Sequence, residues 1–148
     1  MDELNIRKLE KGDEKDLVGL LKLYVEVFGD HDYPTDAGYL PALLENKAIM
    51  FVVAYSAGEV VGGLTAYVLP SIYGDYSDVY IFDMAVSTSH QRRGVGSQLL
   101  GFLKKYCRSI GVPDIFVQAD AEDVHARDFY KKNGGAESDV RHYDFELS

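Results

Sequence analysis

A single cysteine in 148 residues excludes an internal disulfide framework. It suits a reducing compartment, so the chain is expected in the cytoplasm. Cys107 falls on the apolar stripe of a helix and reads as a buried structural thiol rather than a nucleophile. No apolar run approaches the roughly 20 residues of a membrane helix. Residues 1–5 lack the basic and apolar regions of a secretory signal. Repeats, low-complexity tracts and linkers are missing as well, so one domain, residues 1–148, is expected. His31, His90, His125 and His142 stand apart with no metal-ligand spacing, so no metal is expected.

Acidic residues are absent from the stretch 84–113, where Arg92, Arg93, Lys104, Lys105 and Arg108 give +5. The whole chain carries −9, so the remainder carries −14. That balance argues against a nucleic-acid binder. One segment is prepared for an anion, and the rest tends to attract cations. With 47% hydrophobic residues the chain can bury a core, which excludes a disordered one.

Periodicity orders the elements. A first strand is expected over 4–9, then a helix capped by Asp13 and ended by Gly29. Thr35 or Asp36 caps a short second helix running to 46. Residues 49–55 and 60–69 pattern as a hairpin of strands, and 78–86 as a further strand. Val95, Leu99, Leu100, Leu103, Tyr106, Cys107 and Ile110 fall on one helix face. A short strand at 115–119, a helix capped by Asp123 over 124–133 and a last strand over 140–147 complete the chain. This order predicts an α/β fold, a mixed sheet covered by helices, with 78–86 and 115–119 as parallel neighbours.

Between the strand at 78–86 and the long helix lies Gln91-Arg92-Arg93-Gly94-Val95-Gly96. Glycines at such a turn let backbone approach a ligand, and the helix start offers unpaired N–H groups and a positive dipole end. With two arginines this makes an anion pocket suited to a diphosphate. A glycine-rich turn with solvated arginines is the plainer alternative. A P-loop would need Lys-Ser/Thr after its last glycine, and here Gly96 is followed by Ser97-Gln98. A dinucleotide fingerprint would need a third glycine where Leu99 stands.

The strand end Met84-Ala85-Val86, this turn and the helix resemble the acetyl-CoA-binding core of the GNAT superfamily of N-acetyltransferases. Gln91, Gly94 and Gly96 occupy its signature positions. Phe129-Tyr130-Lys131-Lys132-Asn133-Gly134 resembles the family's later segment, with Gly135 where an apolar residue is usual. Phe28-Gly29-Asp30, Tyr39-Leu40 and segments at 66–70, 81–87, 117–120 and 142–144 are similar to type I aminoglycoside 3-N-acetyltransferases.

The resemblance implies a mixed, mostly antiparallel sheet with a parallel strand pair at the acetyl-CoA cleft and helices on both faces. It places the CoA pyrophosphate on the amides of Arg92, Arg93, Gly94, Val95, Gly96 and Ser97, beside Gln91. The pantetheine arm would lie along Met84, Ala85 and Val86, where a strand N–H serves as oxyanion donor. Asp83, interrupting an apolar strand, is the candidate base for the incoming amine, and Asp120 the second. Asp83 equally suits a structural role at a strand bulge. Tyr130 resembles the family's general acid, and is also what a core tyrosine beside Phe129 would look like.

The implied acceptor is a polycationic aminoglycoside, modified at its 3-amino group by direct transfer, so that the enzyme confers antibiotic resistance. Candidate acceptor carboxylates are Asp32, Asp120, Glu122, Asp123 and Asp144, together with Asp30 and Asp36, while Tyr73 and Tyr76 are candidates to cover the site. A GNAT enzyme for a polyamine or protein lysine, or a non-catalytic acetyl-CoA-binding module, remains an alternative. Nucleic acid and membrane are not expected partners, and dimers are usual in similar enzymes, which leaves a homodimer open.

Overall fold

The computed structural model describes residues 3–29, 32–34 and 38–148. They form two compact units, Met1–Gln118 and Ala119–Ser148. The first unit contains a five-stranded sheet in the order β1 (Leu4–Lys8), β2 (Ile49–Ser56), β3 (Glu59–Pro70), β4 (Ser77–Val86) and β5 (Ile115–Val117). The first three pairings are antiparallel, and β4–β5 is parallel with Val79 opposite Ile115. Its helices are α1 (Glu14–Phe28), α2 (Tyr39–Glu45) and α3 (Val95–Ser109).

Two adjacent glycines on β3 show how the helices are distributed. A side chain at Gly62 would come within 2.9 Å of Val95 on α3, and one at Gly63 would collide with Leu20 on α1. Neighbouring strand residues point to opposite faces, so α1 and α3 cover opposite faces of the sheet. The α1 face buries Leu17, Leu20, Leu23 and Tyr24 against Phe51, Val53 and Ala85, and Leu40 of α2 joins them. The α3 face buries Val95, Leu99, Leu103 and Cys107. β2 is buried on both faces, which its unbroken apolar run requires.

Asp13 stands at the α1 N-cap without capping it. Its carboxylate instead accepts from Arg7 at 2.8 Å and from the Glu10 N–H at 2.7 Å, which locks β1 to the helix start. Gly29 ends α1 with φ 87°. The expected caps Thr35 and Asp36 lie outside the described residues, as do Asp30 and His31.

The second unit contains α4 (Val124–Lys132), where the Asp123 carboxylate caps the helix by accepting from the Ala126 N–H at 3.0 Å. Arg127 ties this unit together. It donates to the Ala121 carbonyl at 2.8 Å and to both oxygens of Glu137, at 3.2 and 3.0 Å. The strand expected over 140–147 does not form. The residues alternate as a strand should, yet no backbone group there pairs with another among the described residues. His142 and Asp144 nevertheless pair at 2.8 Å, the two-residue spacing of one side of an extended chain. Tyr143, Phe145 and Leu147 fall on the alternate positions and are 76%, 85% and 93% exposed. Among the described residues no helix is long and apolar enough to cross a membrane.

Candidate active site

The site begins with one extra residue. Along β3 and β4, Thr65 faces Asp83 while Ala66 faces Ile81, so Phe82 has no partner and β4 bulges there. Before the bulge, odd-numbered residues turn their backbone toward β5, since the Val79 N–H donates to the Asp114 carbonyl at 3.1 Å. After it they turn toward β3, since the Ser87 N–H donates to the Val61 carbonyl at 2.8 Å. The parity has flipped. Met84 and Val86 therefore turn their backbone groups away from β3. Pairing with β5 has already stopped at Ile81–Val117, so no strand of the sheet meets them on that side. Ala85 points its side chain into the α1 core.

The turn after β4 gathers backbone N–H groups at a helix start. The Gln91 side-chain amide donates to the Val86 carbonyl at 3.1 Å, closing the turn on the strand end. Arg92 adopts φ 62° and Gly94 φ 81°, both left-handed. Only glycine takes that conformation without strain, and the space beside Gly94 is open. The first bond of the α3 ladder runs from the Gln98 N–H to the Gly94 carbonyl at 3.0 Å. The N–H groups of Val95, Gly96 and Ser97 precede that ladder and sit at the positive end of the helix dipole. Arg92 and Arg93 are exposed beside them, while the Val95 side chain anchors the helix start in the core. A diphosphate fits this donor set: clustered N–H groups, two guanidinium groups and no side chain at Gly94.

Asp83 lies on the α1 face. Its cross-strand neighbour Thr65 holds the Tyr24 hydroxyl at 2.9 Å. Burial pushes the Tyr24 hydroxyl well above the usual tyrosine range and raises that of Tyr67, and the charge of Asp83 pushes both further. Asp83 is thus half-buried beside two phenols rather than fully exposed. Beside it, four aromatic rings from three strands lie in contact: Tyr67, Tyr80, Phe82 and Phe116. Sequence reasoning missed this cluster. The alternation of Tyr80 and Phe82 on one strand was the available signal.

Asp32 is exposed in the short stretch 32–34. Tyr73 is exposed at the β3–β4 connection, which the Ser71 N–H closes by donating to the Tyr76 carbonyl at 2.9 Å. Cys107 is a free, buried thiol whose pKa burial raises, a state unsuited to a nucleophile.

Within the second unit, Tyr130 projects from α4 with its ring edge-on to Phe129 at 5.2 Å. Burial raises its hydroxyl pKa, with a further push from Asp123, so the proton is held tightly. Gly135 donates its N–H to the Tyr130 carbonyl at 2.8 Å, and a β-carbon there would come within 2.9 Å of that oxygen. That contact explains glycine where the family usually has an apolar residue. Asp120 and Glu122 are exposed. Asp123 is engaged as the α4 cap, and Asp144 with His142. Among the described residues no three His, Cys, Asp or Glu side chains gather as a metal site would need.

The Acetyltransferase (GNAT) family matches residues 14–135, most of the chain and parts of both units. An aminoglycoside acetyltransferase from an uncultured soil metagenomic sample, solved in complex with sisomicin, is 34% identical. The match covers 98% of this chain and 97% of that one, with a TM-score of 0.94. A second aminoglycoside acetyltransferase from such a sample is 35% identical over 99% of both chains, with a TM-score of 0.91. The aminoglycoside N-acetyltransferase AAC(6')-Iy in complex with CoA shares the fold at 17% identity and a TM-score of 0.80, over 100% of this chain and 97% of that one. No curated protein matches the sequence. The chain belongs to the GNAT acetyltransferase family and is an N-acetyltransferase that takes its acetyl group from acetyl-CoA.

Proposed function

We propose that the chain transfers the acetyl group to an amine of an aminoglycoside, at the 3-amino position, and so confers resistance to such antibiotics. The observation that carries this reading is the full-length likeness to the two soil aminoglycoside acetyltransferases, one of them bound to sisomicin. Both units belong to one transferase domain in this reading, since the family match runs across their boundary.

Acetyl-CoA supplies a thioester carbonyl, its pyrophosphate held by Arg92 to Ser97 and its arm lying along Met84 to Val86. Gln91 holds the turn and the Val86 carbonyl in place. Asp83 accepts the proton of the incoming ammonium, so that nitrogen attacks as a neutral amine. An N–H of Met84 or Val86, turned out of the sheet by the bulge, donates to the carbonyl oxygen. Such a donor is worth roughly 3 kcal/mol in the transition state. As the N–C bond forms and the C–S bond breaks, Tyr130 gives a proton to sulfur and regains one from the second proton that the nitrogen loses on becoming an amide, while Asp83 releases the first to solvent.

The acceptor carries several ammonium groups. Asp32, Asp120 and Glu122 supply open carboxylates, and Asp123 and Asp144 add charge while bonded within their own unit. The chain's negative balance outside 84–113 steers such a polycation toward the enzyme. Subunits pair as homodimers, with the unpaired segment 140–147 as the element that a second copy covers. The buried free thiol of Cys107 suits a cytoplasmic enzyme.

Thiol release from acetyl-CoA tests the acceptor class. It should occur with sisomicin, gentamicin or kanamycin. Release with spermidine or a lysine peptide, and none with any of the antibiotics, would overturn the proposal.

A further inference from the structure

β3, β4 and β5 carry a run of rings on the sheet face that bears α1. Tyr67 faces Tyr80 across β3 and β4, and Tyr80 faces Phe116 across β4 and β5, so all three rings share that face. Tyr80 and Phe116 stack nearly parallel, with centroids 4.7 Å apart and planes 6° apart. Phe82, the bulged residue, meets Tyr67 edge-on at 5.5 Å and Tyr80 at 5.9 Å. The Tyr80 hydroxyl donates to Gln118 Oε1 at 3.2 Å, which fixes the middle ring.

The cluster is not core. Phe82 is 60% exposed and Phe116 is 43% exposed, whereas Ile81 between the tyrosine and the bulge is buried on the other face. Folding therefore leaves ordered, mutually packed rings facing water across β3, β4 and the edge strand β5, where the hydrophobic effect would favour covering them. A patch of this kind marks a binding surface. Asp83 adjoins it, following Phe82 directly and lying on the same face as Tyr67, two strand positions away through Thr65. An aromatic surface bordered by a carboxylate matches one ligand chemistry well. An aminated sugar presents a C–H face that packs on rings, and ammonium groups that ring faces and carboxylates both attract.

We propose that Tyr67, Tyr80, Phe82 and Phe116 form a stacking platform for a sugar ring of the acceptor, oriented so that one of its amines reaches Asp83. The platform rests on the acceptor class proposed above and adds the residues that select it. The bulge then has two effects from one inserted residue: it frees the backbone of Met84 and Val86, and it sets Phe82 beside Asp83 on the acceptor face.

The test compares Phe82→Leu and Phe116→Leu with the unaltered chain, using sisomicin as acceptor. Leucine keeps apolar bulk and removes the ring. Each variant should raise the sisomicin KM about fivefold or more while the acetyl-CoA KM stays within about twofold. Phe82→Tyr should restore the sisomicin KM. Phe116 lies on a different strand from Asp83, so its variant separates stacking from disturbance of the base. If the unaltered chain acetylates sisomicin and neither leucine variant moves its KM, the platform is wrong while the function stands. A fall in kcat alone in both variants would overturn it equally. If the unaltered chain acetylates no aminoglycoside, the function fails and the platform's ligand class fails with it.

Discussion

Asp83 and Thr65 face one another across β4 and β3, at the first paired position after Phe82 interrupts the register. Through Thr65 the carboxylate neighbours the buried Tyr24 hydroxyl, 2.9 Å from Thr65 Oγ1. In the proposed reaction this carboxylate, held at the bulge beside Met84, takes the proton of the incoming amine.

Asp83→Asn keeps the shape of the side chain and removes its basicity. The expected result is a fall in kcat of about 100-fold or more, with CoA affinity unchanged. Steady-state kinetics with a separate CoA binding measurement separates the two. A kcat within about threefold of the unaltered chain would show that another group takes the proton.

Gly94→Ala tests the anion cradle. At φ 81° a β-carbon costs about 1 kcal/mol of stability. Because the space beside Gly94 is open in the protein alone, the larger effect belongs to the phosphate that should approach there. The acetyl-CoA KM should rise about tenfold while the amine KM moves little. Urea unfolding and both KM values check this, and an unchanged acetyl-CoA KM would place the pyrophosphate elsewhere.

Tyr130→Phe tests the proton donor. Burial raises the Tyr130 hydroxyl pKa above the ordinary tyrosine value, so the donor form persists through neutral pH. The phenylalanine variant should lose about 100-fold in kcat by a constant factor from pH 7 to 9. A pH profile of kcat measures this, and a variant with nearly unchanged kcat at every pH would remove Tyr130 from the chemistry.

Much of this was legible because it is local. The turn at 91–96 is a single stretch whose glycines mark the helix start after β4, and the 3.6 period of Val95, Leu99, Leu103 and Cys107 marks α3. What was not legible depends on partner strands. Asp83 could be read as a base or as a bulge residue, but only the register with Thr65 and Ala66 shows that Phe82 is the inserted residue and that the backbone of Met84 is turned outward. Tyr67, Tyr80 and Phe116 lie on three separate strands, so nothing in sequence spacing joins them. Asp13 has the sequence of a cap, yet Arg7 on β1 claims its carboxylate.

The segment 140–147 reads as a strand and lacks a partner within the described residues. Pairing between two copies would bury Tyr143, Phe145 and Leu147. Removing residues 139–148 should then convert a dimer into a monomer, as measured by light scattering after gel filtration. A full-length chain that is monomeric at micromolar concentration would contradict the pairing.

The product formed from sisomicin and acetyl-CoA, its structure read by NMR, decides whether the chain acetylates the 3-amino group. A single new acetamide is expected on the 3-amino nitrogen, formed with one equivalent of free CoA. Sisomicin recovered unmodified under conditions where another amine is acetylated would contradict it.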